Sequence, residues 1–208
     1  MKRSFDINSK TNLQNQRVLV IGGSSRMGLE VARQAAVLGA EVILSSRSAD
    51  KLQAAAAELN SGVQTYAADA SKIDEAERLI KDLAPLDHIV VTASSSGSAS
   101  SIIATSPASA QAAFSRFWLS YHVLHFAPDK VRSSGSITLL SGSSGRRPVV
   151  GYGVWGTLHG SIEALARSAA LELAPIRVNV ISPGGIGLRP DRQLSHYRTH
   201  LTSVTSLN

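Results

Sequence analysis

A chain of 208 residues with 43% hydrophobic side chains can bury one substantial core, and no apolar run is long enough to span a bilayer, so one globular domain with no membrane partner is expected. The formal charge of +6 comes from scattered Lys and Arg without a basic run or aromatic–basic alternation, which argues against nucleic acid and leaves an anionic small molecule to explain part of the excess. Cysteine is absent, which excludes disulfides, a thiolate metal site and a cysteine nucleophile, and no His/Asp/Glu cluster has metal-ligand spacing.

Residues 1–16 are polar and lack an apolar export core, so they read as a flexible leader, with the cytoplasm as the expected location. Residues 18–28, V-L-V-I-G-G-S-S-R-M-G, carry an apolar run that breaks into a glycine-rich turn. Residues 27–38 then repeat apolar side chains at helical spacing (Leu29, Val31, Ala32, Ala35, Leu38). A buried strand, a tight turn and a helix N-terminus in that order form a cradle for phosphate, and predict a bound dinucleotide. The candidate contacts are Gly22, Ser24, Ser25, Arg26, Met27 and Gly28. The next strand, residues 40–47, ends where a βαβ dinucleotide unit places the residue that reads the adenosine ribose. No acid stands there. Ser46 and Arg47 offer a hydroxyl and a forked cation that suit a 2′-phosphate, so NADP(H) is expected over NAD(H).

Helices are predicted over 49–59, 73–83, 110–126 and 154–173, and strands over 63–67, 88–92, 135–140 and 176–181, with a Ser/Ala-rich loop at 94–109. This alternation implies an α/β, Rossmann-like, doubly wound parallel sheet of about six strands in a single domain, its cofactor at the carboxyl edge.

At this point the chain resembles the short-chain dehydrogenase/reductase superfamily over residues 17–187. The turn G-G-S-S-R-M-G matches that family's TGxxxGxG, Asp69 its adenine-contacting Asp, and R-V-N-V-I-S-P-G-G-I its sixth strand and following turn. The resemblance implies NAD(P)H binding, carbonyl/alcohol redox chemistry on a small molecule, and a homodimer formed through the two long helices. It places Ala68, Asp69 and Ala70 around the adenine, Ala93 and Ser94 against the cofactor after the fourth strand, and Pro183, Gly184 and Ile186 over the nicotinamide. His159 falls at the family's ribose-binding Lys.

The departures carry as much information. The family's Asn-Ser-Tyr-Lys tetrad aligns with Arg116, Gly142, Trp155 and His159, with Ser141 and Ser143 on either side of Gly142. Indole exchanges no proton near neutrality, and an unperturbed imidazole is mostly neutral at pH 7. Tyr152, three residues before Trp155, is a replacement proton donor or a wall residue at a loop–helix junction. His159 reads as a ribose ligand, a general base or a packed side chain. Arg116 orients an anionic substrate or bonds backbone carbonyls in a bent helix, the latter preferred. Ser143, Tyr152 and Trp155 are expected pocket walls. Trp118, Tyr121 and His122 are expected in helix packing or the dimer interface.

Residues 188–208 are expected to form a short tail and partial substrate lid, with one helix over 191–201 and no seventh strand. Two functional classes follow. One is an NADP(H)-dependent oxidoreductase for a small, partly apolar carbonyl or alcohol compound with a rebuilt acid/base set, or a non-redox cyclase, isomerase or dehydratase on the same fold. The other is a non-catalytic NADP(H) sensor or scaffold.

Overall fold

The apolar runs and helical repeats become a parallel sheet flanked by helices in the structure, a computed structural model that describes residues 12–59, 62–93 and 100–184. The elements are β1 (Arg17–Ile21), α1 (Arg26–Val37), β2 (Glu41–Ser46), α2 (Ala49–Glu58), β3 (Gln64–Ala67), α3 (Ile73–Leu83), β4 (Leu86–Val91), α4 (Pro107–Ala113), α5 (Ser115–Phe126), β5 (Val131–Leu140), α6 (Gly153–Glu172) and β6 (Arg177–Ile181), with a 3₁₀ turn at Ser143–Gly145. Every strand pairing is parallel, in the order β3-β2-β1-β4-β5-β6.

Alternate side chains of a strand point to opposite faces, and the strand sequences use both. Leu19, Ile21, Ile43, Ile89, Val91, Ile137 and Leu139 pack in one cluster with α3, α5 and α6. Val18, Val20, Val42 and Leu44 pack in another with α1 and α2. Each fully buried Leu, Ile or Val contributes about 1.5–3 kcal/mol relative to exposure. On the α1/α2 face of the outer strands, Ser136, Thr138 and Asn179 stay partly exposed and Ile181 exposed, whereas their neighbours Ile137, Leu139, Val178 and Val180 are buried.

Four expectations change. The single helix over 110–126 is two helices that meet at Phe114, whose ψ of −6° lets its carbonyl accept from both Phe117 N (2.9 Å) and Trp118 N (3.2 Å). The first of them starts inside the expected loop, because Ser106 caps it by accepting from Ser109 N and Pro107 presets its first turn. The strand over 135–140 begins at Val131 and crosses a register shift opposite Leu86 and His88. Finally, the last residues of the expected leader belong to the body: Leu13 N donates to Leu38 O at 2.9 Å, and Gln16 Oε1 meets His88 Nε2 at 2.7 Å. Residues 1–11 and the tail 188–208, including the expected helix over 191–201, lie outside the described residues.

Candidate functional site

Register brings the strand ends level, since Ile21 pairs with Ser45 and Val91, Val91 with Leu139, and Leu139 with Val180. The loops that leave them are tied together. Gly22 N donates to Ser45 O (2.7 Å), Thr92 N and Ala93 N both donate to Ile21 O (2.8 and 3.1 Å), and Ser143 N donates to Pro183 O (3.0 Å). Strand order reverses between β1 and β4, so the loops diverge there and open a crevice at the carboxyl edge.

That crevice is a cleft of about 440 Å³. Its floor is the turn after β1, with Gly22, Ser24, Ser25, Arg26, Met27 and Gly28 all lining it. The turn needs its glycine: Gly22 has φ +88°, and a Cβ there would stand 2.5 Å from Ala93 N. Ser25, the N-cap of α1, spends no side-chain hydrogen bond on the helix, so the first-turn N–H groups of α1 and that hydroxyl remain for a ligand. Arg26 has φ +49°, the left-handed region, where an L side chain is strained by about 1 kcal/mol.

One end of the cleft is built by Ser46, Arg47, Ala68, Asp69 and Ala70, together with Ser48, Lys51 and Ser71. Ser48 caps α2 by accepting from Lys51 N (3.3 Å), which puts Arg47 and Lys51 on the same rim. Arg26, Arg47 and Lys51 make no ion pair among the described residues. Asp69 Oδ1 accepts from Ser71 N and Oγ (3.1 and 2.7 Å), while Oδ2 has no protein partner among the described residues. Three exposed cations, none in an ion pair among the described residues, share the cleft with the glycine turn and Asp69, a set that fits a phosphate-rich dinucleotide.

Ala93, Leu140, Ser141, Ser115, Arg116 and Leu119 line the other end. Arg116 is 8% exposed. Its Nη2 donates to Leu140 O (2.5 Å) and Ser141 O (3.4 Å), and its Nη1 lies 3.4 Å from His159 Nε2. The carbonyls it holds therefore belong to the end of β5 and not to its own helix. Guanidinium only donates, so His159 Nε2 is the acceptor and Nδ1 carries the proton, donating to Ser144 Oγ at 2.8 Å. Burial, then the charge of Arg116, pushes the His159 pKa down to about 4, so the ring is neutral at pH 7. Gly142 explains how the ring fits: a Cβ at that position would stand 2.5 Å from His159 Cε1.

Behind His159 lies a second polar group. Glu163, 3% exposed, accepts from Arg146 Nε (2.7 Å), Ser141 Oγ (3.2 Å) and Ser182 Oγ. Burial alone would raise its carboxyl pKa, but these hydrogen bonds outweigh burial and hold it below the usual range. The remaining expected residues stand apart from the cleft lining. Trp155 is half-buried with its ring 6.4 Å from that of His159, Tyr152 is 41% exposed at the start of α6, and Ser143 opens the 3₁₀ turn. Pro183 and Gly184 follow β6 without lining the cleft, and Ser94 and Ile186 lie outside the described residues.

Lys51, Ser144 and Glu163 escaped the sequence reading. Lys51 had a legible signal, a second cation one helical turn after Arg47. Ser144 and Glu163 had none, because their partners come from distant loops.

Residues 22–206 match the family described as enoyl-(acyl carrier protein) reductase. The short-chain dehydrogenase/reductase ATR9 of Stachybotrys chlorohalonatus is 34% identical over 187 residues, covering 83% of this chain and 74% of that protein. The solved structure of the MalC reductase/Diels-Alderase of Malbranchea aurantiaca is 28% identical with a TM-score of 0.76, covering 83% of this chain and 73% of that one. A short chain dehydrogenase of Shigella flexneri 2a, solved in complex with NADP, is 25% identical with a TM-score of 0.79 over 85% of this chain and 80% of that one.

Proposed function

Because the chain belongs to the short-chain dehydrogenase/reductase family, one of oxidoreductases, we propose that it is an NADP(H)-dependent oxidoreductase for a small, partly apolar carbonyl or alcohol compound. The observation that carries this reading is the cleft itself, where the glycine turn, Asp69 and three cations free of ion pairs among the described residues share one surface. When bound, the nicotinamide supplies or accepts the hydride equivalent. The residues of the chain divide the remaining work. Ser24, Ser25, Arg26 and the N-terminus of α1 would hold the diphosphate, Ser46, Arg47 and Lys51 would hold the 2′-phosphate, and Asp69 would accept a hydrogen bond from the adenine. Ala93, which lines the inner end of the cleft, would support the nicotinamide half.

His159 is a poor general base, since both ring nitrogens are engaged and the imidazole stays neutral. Its role here is to hold Arg116 and Ser144 in place. Tyr152, whose hydroxyl makes no hydrogen bond among the described residues, is the proton donor in this reading, with Trp155 and Ser143 as walls of a substrate space beyond the described cleft lining. A homodimer accompanies it. Trp118, Tyr121 and His125 form an aromatic stripe on one face of α5, with Tyr121 and His125 stacked at 5.8 Å, and Trp118 is 51% exposed.

Calorimetric titration with NADPH and NADH tests the cofactor assignment. NADPH binds more tightly, and Arg47→Ala weakens NADPH roughly 10- to 100-fold while leaving NADH unchanged, the size expected for a charge-assisted contact. Equal affinity for both nucleotides rejects the 2′-phosphate reading, and binding of neither rejects the redox one. A second reading, non-redox chemistry in a cofactor-holding pocket, is favoured by Trp155 at the usual Tyr and by similarity to a reductase/Diels-Alderase. It requires product formation without net oxidation of NADPH.

A further inference from the structure

The two ends of the cleft differ in how their cations are held. Arg47 and Lys51, on the β2 side, are exposed, as befits residues that meet a phosphate at the protein surface. Arg116, on the β4–β5 side, is buried. Its partners are two backbone carbonyls and a neutral imidazole, and no carboxylate lies within ion-pair distance among the described residues. The nearby carboxylate that might have served, Glu163, is committed to Arg146, Ser141 and Ser182. A buried cation without a counter-charge is costly, and proteins seldom keep one outside a functional site.

Of the five N–H bonds of the guanidinium, these contacts use three, so among the described residues the Nε–H and one on Nη1 have no partner. Ser115, the first residue of α5, lines the same end and adds a hydroxyl. Of the other walls, Ala93, Leu119 and Leu140 are apolar, and Ser141 spends its hydroxyl on His159 O and Glu163.

We propose that this inner end of the cleft is an anion site in which Arg116, with Ser115 next to it in the lining, receives a carboxylate carried by the substrate beside its reacting carbon. The proposal narrows the substrate class to short, partly apolar oxo- or hydroxy-carboxylates, and it rests on the reading of the outer end as the NADP(H) site. Burial lowers the guanidinium pKa to about 10, so the cation is present throughout the physiological range. It can anchor a carboxylate but cannot deliver a proton, which is why the acid/base role falls to another side chain.

The test uses the full chain saturated with NADP⁺, so that no turnover occurs, with acetoacetate and its neutral methyl ester as probes. Acetoacetate raises the thermal unfolding midpoint and gives a saturable calorimetric signal, and the methyl ester gives neither. Arg116→Gln lowers acetoacetate affinity roughly 10- to 100-fold, as loss of a charged hydrogen-bonding pair should. Arg33→Gln, a surface change on α1, leaves it unchanged. Equal responses to acid and ester, or an undiminished response in Arg116→Gln, overturn the proposal. Inorganic phosphate that binds as well as acetoacetate, and is equally lost with Arg116, overturns the choice of carboxylate. If Arg116→Gln does not fold, the acid–ester comparison in the wild type and an intermediate affinity in Arg116→Lys decide. NADP⁺ affinity is measured alongside. A protein that binds acetoacetate but not NADP⁺ fails the cofactor reading while keeping the anion site, and the reverse result fails the anion site alone.

Discussion

Gly142 and His159 exchange volume. Position 142 is a glycine, and the imidazole occupies the space a side chain would need, with Cε1 2.5 Å from the place of a Cβ. Introducing a hydroxyl by Gly142→Ser should therefore displace the ring from Arg116 and Ser144. Overpacking of this kind costs about 1–3 kcal/mol, to be read from urea denaturation. Gly142→Ser combined with His159→Ala should recover part of that loss, and additive effects in the double-mutant cycle would show that the two positions do not compete for space. Arg26 holds a different tension, because a left-handed φ of +49° suits glycine and not arginine. Arg26→Gly should relieve about 1 kcal/mol of backbone strain, partly offset by the greater freedom of an unfolded Gly. It should also weaken NADPH, since the same guanidinium lines the phosphate turn. A variant no weaker for NADPH would show that Arg26 contacts no phosphate.

Helix α5 does three jobs along its length. Its start presents Ser115 and Arg116 to the cleft, its buried face carries Leu119, Val123 and Leu124 into the core, and its outer face shows Trp118 and Tyr121. Trp118→Glu should leave the monomer fold intact, because the ring is half in solvent, yet shift sedimentation from dimer to monomer if α5 is the interface. Unchanged sedimentation would move the interface elsewhere. The same helix illustrates what a linear reading reaches. Periodicity announced the strands and helices, and the glycine run announced the tight turn that lines the cleft, because each signal lies within one segment of chain. The break at Phe114 was hidden, since 107–126 is helix-compatible throughout and only ψ at one residue divides it. The Arg116–His159–Ser144 contacts and the Glu163 cluster were hidden for another reason. They join α5, the loop after β5, α6 and the end of β6, and nothing in the spacing of residues 116, 144, 159, 163 and 182 shows that the loops converge.

Across the whole molecule, the buried polar groups tie stability to pH with a defined sign. His159 is held near a pKa of 4 by burial and by Arg116, against an ordinary value of 6.5. Between those values the unfolded chain binds a proton that the folded chain refuses, so stability is full above pH 6.5 and falls as pH drops toward 4. His88, whose pKa burial also lowers, acts in the same direction as pH falls below the ordinary histidine value. Glu163 takes over at lower pH. Its folded-state pKa is below the ordinary carboxylate value, so its contribution is present above that value and lost as pH falls through the folded one. The expected profile is a urea midpoint that is highest near pH 7, declines through the histidine window and falls further below the carboxylate range. Two histidines share the first limb, so substitution is needed to divide it. His159→Gln should flatten part of the decline between pH 6.5 and 4 while leaving the lower limb in place, and Glu163→Gln should lower the midpoint at pH 7, since it breaks the hydrogen-bonded pair with Arg146. A His159→Gln profile parallel to wild type through that window would mean that the imidazole titrates normally, and that the contact between Arg116 and His159 Nε2 does not hold the ring in its neutral form.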